Sequence, residues 1–228
     1  MSNMQGSWSG LWWSQACGGS LITSTSVLSA AHCFYDEELI PYWRVVLGSS
    51  LAHSGGTVHT IRRIIMHPQY IDAIFNNDVA IVRLNSPAVF SNRIQVASIA
   101  GSNYNLADGA TVTHVGWGRT QGQSSEQLLH VHVNVINQQL CAERFAYLKT
   151  QPGFQNWPDI NEGMMCAGIL DQGGRDACHG DSGGPLAHFG SIIVGVTSWG
   201  FQCAHPFYPG VSARVSQYSN WIVANVNS

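Results

Sequence analysis

A chain of 228 residues is long enough for one large all-β domain or two small barrels, and a 45 % hydrophobic content argues for a buried core over disorder. Only 10 % of residues are charged, the formal net charge is −3 and no basic run exists, which disfavours a nucleic-acid partner. The longest apolar stretches, such as 191–199, are too short to cross a bilayer, so no membrane partner is expected.

The opening Met-Ser-Asn-Met is not followed by the apolar core of a secretory leader. Glycine is abundant, at 24 residues, and together with serine it predicts short strands and many turns. In chain order the predicted strands are 19–23, 27–30, 43–47, 59–66, 79–84, 111–116, 129–135, 164–167, 186–189, 192–198 and 210–214. The clearest is 129–135, where Leu129, Val131, Val133 and Val135 alternate strictly with His130, His132 and Asn134. Residues 101–109 (GSNYNLADG) are the best linker between two halves, 1–105 and 106–228. One helix is expected after Asn137 as N-cap, through Cys141 to about Tyr147. A second is C-terminal, with Val215, Tyr218, Trp221, Ile222 and Val226 forming one apolar face. Many short strands closed by a terminal helix indicate a β-barrel or sandwich.

Three segments carry chemistry. Ala30-Ala31-His32-Cys33 sets an imidazole beside a cysteine, and imidazole can serve as general base and then general acid. Asn77-Asp78 stands at the mouth of the apolar run Val79–Leu84, where a carboxylate is either an ordinary turn residue or a buried partner that orients a histidine. Gly180-Asp181-Ser182-Gly183-Gly184-Pro185 surrounds one serine with glycines that let backbone N–H groups approach a substrate closely. A serine has no special reactivity alone, so its context must supply it; Gly180 and Ser182 N–H groups could stabilise a developing oxyanion. The plain alternative is a glycine-rich turn without chemistry.

The six cysteines, Cys17, Cys33, Cys141, Cys166, Cys178 and Cys203, contain no Cys-x-x-Cys spacing. An even count fits three disulfides in an oxidising compartment, but spacing alone leaves many connectivities open.

In the order His, Asp, Ser these segments resemble the chymotrypsin/trypsin family of serine proteases; subtilisins and α/β-hydrolases use another order. The likeness extends over nearly the whole chain through Cys17-Gly18-Gly19-Ser20-Leu21-Ile22, His67-Pro68-Gln69-Tyr70, Gly116-Trp117-Gly118, Ser198-Trp199-Gly200 and Tyr208-Pro209-Gly210-Val211. It implies an all-β fold of two six-stranded antiparallel barrels with a C-terminal helix, the first barrel carrying His32 and Asp78, the second Ser182. It implies Ser182 as nucleophile, His32 as base, Asp78 as its orienting carboxylate, and an oxyanion hole from Gly180 and Ser182.

The same resemblance implies the bridges Cys17–Cys33, Cys141–Cys166 and Cys178–Cys203. A further bridge of many relatives falls on Val112 and His188 here, an absence common among invertebrate members.

Asp176, six positions before Ser182, is expected at the base of the specificity pocket, with Ala177, Ser198, Trp199, Gly200 and Gly210 around it. An Asp below open glycine walls selects Arg or Lys, and Ala177 in place of the usual Ser favours Arg, whose guanidinium fork can still pair with the carboxylate. His179 falls at the cleft rim. The implied partners are protein or peptide substrates with Arg or Lys, and protein protease inhibitors; the implied state is a secreted monomer needing no cofactor.

Two departures stand out. No free Ile-Val-Gly-Gly start is present to pair with Asp181, so a zymogen-like state is expected of the chain as it stands. No carboxylate lies between Leu47 and Ile61, so no calcium loop is expected there. His130 and His132 share a strand face but have no evident third metal ligand. The alternative of a different class is a non-catalytic protease homologue serving as a binding or regulatory module.

Overall fold

The computed structural model describes residues 1–7, 9–34 and 37–227. The chain forms two closed six-stranded antiparallel barrels followed by a helix.

The first barrel comprises β1 (Ser2–Gly6), β2 (Ser14–Thr23), β3 (Ser26–Ser29), β4 (Trp43–Leu47), β5 (Thr57–Met66) and β6 (Ala80–Leu84), in the order β1-β2-β3-β6-β5-β4. Pairing of β1 with β4, Met4 opposite Val45, closes it. A short strand β7 (Ser98–Ile99) follows, and residues 101–109 cross to the second barrel without a strand.

The second barrel comprises β8 (Thr111–Gly116), β9 (Leu129–Ile136), β10 (Met164–Gly168), β11 (Pro185–His188), β12 (Ile192–Trp199) and β13 (Gly210–Arg214). Its order is β11-β8-β9-β10-β13-β12, closed by β11 against β12. β7 extends it by pairing in parallel with β12, Ser98 opposite Ile192.

Two helices were expected, and among the described residues two α-helices are present. α1 (Gln138–Lys149) starts where Asn137 accepts a hydrogen bond from the Leu140 N–H at 3.0 Å. Its buried Cys141, Phe145 and Leu148 recur at helical spacing and pack with Cys166, Tyr208 and Val211. α2 (Val215–Asn225) buries Val215, Tyr218 and Ile222. The end of α2 is tied to the first barrel by the Ser26 hydroxyl, which donates to the Val226 carbonyl at 2.7 Å.

β1 and β7 are the strands the sequence pattern did not reveal. β1 reads Ser-Asn-Met-Gln-Gly, with one apolar residue, yet Ser2, Asn3, Met4 and Gln5 are all buried. Burial is tolerated because the amides of Asn3 and Gln5 both donate to the Ala52 carbonyl, at 2.9 and 2.8 Å. Arg44 in turn donates to the Gln5 side-chain oxygen at 2.7 Å. Hydrophobic periodicity cannot report a strand with one core residue, Met4, flanked by buried Asn3 and Gln5 whose amides donate to a distant carbonyl.

Three disulfides join Cys17 to Cys33, Cys141 to Cys166 and Cys178 to Cys203. The first fastens β2 to the 3₁₀ turn Ala31–Phe34 that carries His32. The third ties the loop before Ser182 to the loop after β12.

Candidate active site

His32 and Asp78 meet because β3 and β6 are neighbours in the first barrel. The chain leaves β3 in the 3₁₀ turn with His32, and enters β6 just after Asp78. Asp78 is 1 % exposed and its charge is met by three donors. The His32 backbone N–H donates to Oδ1 at 2.8 Å, and His32 Nδ1 lies 2.7 Å from Oδ2. The Ser198 hydroxyl, from β12 of the second barrel, also donates to Oδ2. An ionised Asp78 therefore requires Nδ1–H on His32, which leaves Nε2 free to take a proton.

Ser182 faces the same cleft, about 410 Å³ in volume, shared with His32, Asp176, Trp199 and Gly210. Among the described residues no hydrogen bond links the Ser182 hydroxyl to the imidazole; such contacts commonly tighten only with substrate. The backbone around Ser182 is held from both barrels. Its carbonyl accepts from the Gly18 N–H at 2.7 Å, and the Gly183 N–H donates to the Thr197 carbonyl at 2.8 Å. Gly183 has φ +77°, and a Cβ there would lie 2.3 Å from the Ser29 hydroxyl, so only glycine fits. Among the described residues neither the Gly180 N–H nor the Ser182 N–H has a protein acceptor, which leaves both available to an oxyanion. The Gln15 side chain, on β2, donates to the Gly180 carbonyl at 2.7 Å and pins that peptide from the opposite barrel.

Asp176 lies at the inner end of the cleft, with its side chain only 5 % exposed. The Ala177 N–H donates to Oδ1 at 2.8 Å and the Gly210 N–H to Oδ2 at 3.0 Å. Burial nonetheless pushes its carboxyl up to about 7; the two amides oppose that rise and the charge of Asp181 adds to it. A Cβ on Gly210 would stand 2.9 Å from Asp176 Oδ2, so this wall must be glycine for the carboxylate to sit where it does. At Gly200 an added Cβ meets nothing nearer than 3.6 Å, consistent with an open wall.

Asp181 points away from Ser182. Oδ1 accepts from the Gly118 N–H at 2.7 Å and Oδ2 from the Cys178 N–H at 2.9 Å. Burial raises its carboxyl above the usual range, and these two amides only partly offset the rise. It lines a second cavity of about 410 Å³ behind the first, with Gly116, Gly118 and Arg119.

Residues 2–222 match the sequence profile of the family described as Trypsin. The chain belongs to the trypsin family. It is 46 % identical over 213 residues to "Trypsin, alkaline B" of Manduca sexta, covering 92 % of this chain and 79 % of that protein. It is 46 % identical over 221 residues to "Trypsin CFT-1" of Choristoneura fumiferana, covering 96 % of this chain and 82 % of that protein. Against "Trypsin alpha" of Drosophila melanogaster the identity is 38 % over 218 residues, covering 94 % and 79 %. This trypsin-family chain is a serine protease, a hydrolase of the trypsin-like endopeptidase kind.

The cleft holds His32, Ser182, Asp176, Ala177, Ser198, Trp199, Gly200 and Gly210, with Asp78 bound to His32, while Asp181 lines the second cavity. Ser198 lines the cleft, but its hydroxyl turns back onto Asp78 instead of facing substrate. Four contributors had gone unread: Phe75, Gln15, His114 and Thr197. Phe75 sits edge-on to His32 with centroids 5.6 Å apart and stacks on Trp199 at 6.3 Å, forming an apolar wall. Its φ of +50° is a non-glycine left-handed conformation that sequence pattern does not signal. His130 and His132, which share a face of β9, are exposed with rings 5.6 Å apart. Among the described residues no group of three or more His, Cys, Asp or Glu is placed to hold a metal.

Proposed function

We propose that this chain hydrolyses peptide bonds after Arg, and less efficiently after Lys. The observation that carries this reading is a desolvated carboxylate, Asp176, at the inner end of a cleft that also holds His32 and Ser182. A substrate cation would replace the missing solvation of Asp176 with a charge-assisted contact. With Ala177 beside it, no serine hydroxyl is present to accept from an ammonium, whereas a guanidinium can pair through its fork.

In the reaction, Ser182 Oγ attacks the scissile carbonyl while His32 Nε2 takes its proton. The Gly180 and Ser182 N–H groups receive the negative charge on the carbonyl oxygen. The tetrahedral intermediate collapses as His32 returns the proton to the leaving amine, which gives an acyl-Ser182. Water, deprotonated by His32, then repeats the sequence and releases the acid. Asp78 holds the imidazole in the Nδ1–H tautomer throughout, with Ser198 bracing the carboxylate.

Asp181 is the activation residue in this reading. Among the described residues its carboxylate accepts from two backbone amides, and the family resemblance implies a free amine on a released Ile-Val-Gly-Gly start as its cationic partner. Residues 1–105 and 106–228 are the two halves on either side of the cleft. Three disulfides suit an oxidising, extracellular setting, protein substrates and protein inhibitors are the partners, the working unit is a monomer, and no cofactor is needed.

The test is turnover of an Arg chromogenic peptide by this chain and by a version with a released Ile-Val-Gly-Gly start, each beside its Ser182→Ala control. Turnover is expected to fall by about 10⁶-fold in the control. Equal turnover of matched Arg and Lys substrates removes the Arg preference, and silence from both folded versions removes the catalytic reading.

A further inference from the structure

Behind Asp176 the wall of the pocket is not apolar. His114, on β8, is 5 % exposed, and its Nε2 lies 3.6 Å from Asp176 Oδ1. Its Nδ1 lies 3.1 Å from the Thr197 hydroxyl on β12. This separation from Asp176 is within ion-pair range, but burial pushes the imidazole down to about 4, so the ring is neutral at working pH. The contact is then between a carboxylate and the dipole of a neutral ring, and its sign depends on which nitrogen carries the proton. Thr197 can donate its hydroxyl proton to Nδ1, which places the ring proton on Nε2, facing Asp176. His114 lines both cavities alongside Asp176.

We propose that His114 is a positioning residue for substrate selection: fixed in one tautomer by Thr197, it turns its Nε2–H toward Asp176 and holds that carboxylate ionised and aimed into the specificity pocket. This rests on Asp176 being the substrate-binding carboxylate.

The electrostatic argument is local. From the second cavity, Arg119, Arg175, His130 and Asp181 share the space around Asp176 and His114. From the cleft side, His32 and His179 face it. The nearest of these in effect is Asp181, whose charge raises the Asp176 carboxyl. The Ala177 and Gly210 amides already meet both carboxylate oxygens from the chain in front. His114 is the side chain that approaches from behind. A leucine there would fill the space and leave that side of the carboxylate against hydrocarbon, so Asp176 would ionise at higher pH and bind a cation less well at neutrality.

The experiment follows benzamidine binding as a function of pH in the active protein, which reads the carboxylate without requiring a general base. His114→Leu is expected to move the midpoint of binding up by about one pH unit, an affinity about fivefold weaker at neutrality and approaching tenfold weaker below about pH 6. KM for the Arg peptide at neutral pH should rise by about fivefold, and the ratio of Arg-peptide to p-nitrophenyl acetate turnover should fall by a similar factor. His114→Gln, whose amide N–H can replace Nε2–H, should recover most of the loss. Thr197→Val should shift the midpoint in the same direction by less.

An unmoved midpoint in His114→Leu overturns the proposal, as does a loss shared equally by both substrates, which marks a merely structural role. If His114→Leu does not fold, Thr197→Val decides: a moved midpoint supports the relay and an unmoved one removes it. Asp176→Ser, run alongside, separates the two levels. Benzamidine binding that survives Asp176→Ser refutes the pocket assignment itself. Binding lost there, with His114→Leu unaffected, refutes only the role of His114.

Discussion

Asp78 and Asp176 are buried to nearly the same degree, yet their surroundings differ in kind. Asp78 lies between the barrels and is met by two N–H groups of His32 and the hydroxyl of Ser198. Its hydrogen-bonding demand is satisfied from within the chain. Asp176 has two backbone amides and a neutral histidine, and among the described residues no Lys or Arg forms an ion pair with it. Burial alone therefore says little about a carboxylate's task. In the proposed reaction the one completed by its own protein orients His32, and the one left without an ion-paired cation binds the substrate's.

This contrast can be tested at both ends. The largest effect is expected from Asp78→Asn, which keeps the shape but favours the wrong tautomer of His32; kcat should fall by about 10⁴-fold at neutral pH with benzamidine affinity nearly unchanged. Asp176→Ser should do the reverse. It should lower kcat/KM for Arg peptides by about 10²- to 10³-fold, the equivalent of about 3–4 kcal/mol, and raise the relative turnover of neutral substrates. If both substitutions damaged binding and chemistry alike, the division of labour between the two carboxylates would be wrong.

The pH dependence sharpens the same point. The Asp176 carboxyl is raised from 3.8 to about 7, so its charged form is the disfavoured one in the folded protein. Between those values the folded state holds a proton that the unfolded state has lost, and this group's contribution to stability falls as pH rises from about 4 to about 7. Asp181, raised in the same sense, adds to that fall, while His114, lowered to about 4, acts oppositely below its ordinary range. Melting temperature in the bare protein mixes all three. The increment produced by saturating benzamidine isolates Asp176: it should grow as pH rises and level off above about 7, with Kd tightening by about tenfold per pH unit below that point. An increment that is flat from pH 5 to 8 would place the titration elsewhere.

The smallest effect is expected from Ser198→Ala. Removing one of three donors to Asp78 should cost about 1–2 kcal/mol and lower kcat by roughly tenfold, leaving KM for Arg peptides within about twofold. A larger change in KM than in kcat would return Ser198 to the role of a pocket wall.

Much of this site was legible in the chain. His32, Asp78 and Ser182 each sit in short segments whose neighbours restrict the backbone, and the side-chain chemistry within those segments is narrow. Asp176, Gly200 and Gly210 were placed by the family resemblance carried on their motifs. The strands with alternating or continuous apolar residues were likewise readable, most clearly β9. β1 escaped because it has one core residue, Met4, flanked by buried Asn3 and Gln5, whose partner is the Ala52 carbonyl far along the chain.

His114 and Gln15 escaped for a related reason. A lone histidine or glutamine in a strand carries no periodic or motif signal, and its meaning depends on what the barrel sets opposite it. The sequence by itself determined the barrel strands with apolar faces and the C-terminal helix, and it named the candidate reacting groups, because those depend on residue type and local spacing. Only the tertiary structure decided that Ser198 braces Asp78, that Gln15 pins Gly180 and that a neutral imidazole stands behind Asp176. Each of these contacts joins residues remote in sequence, and its strength is set by water excluded when the barrels close.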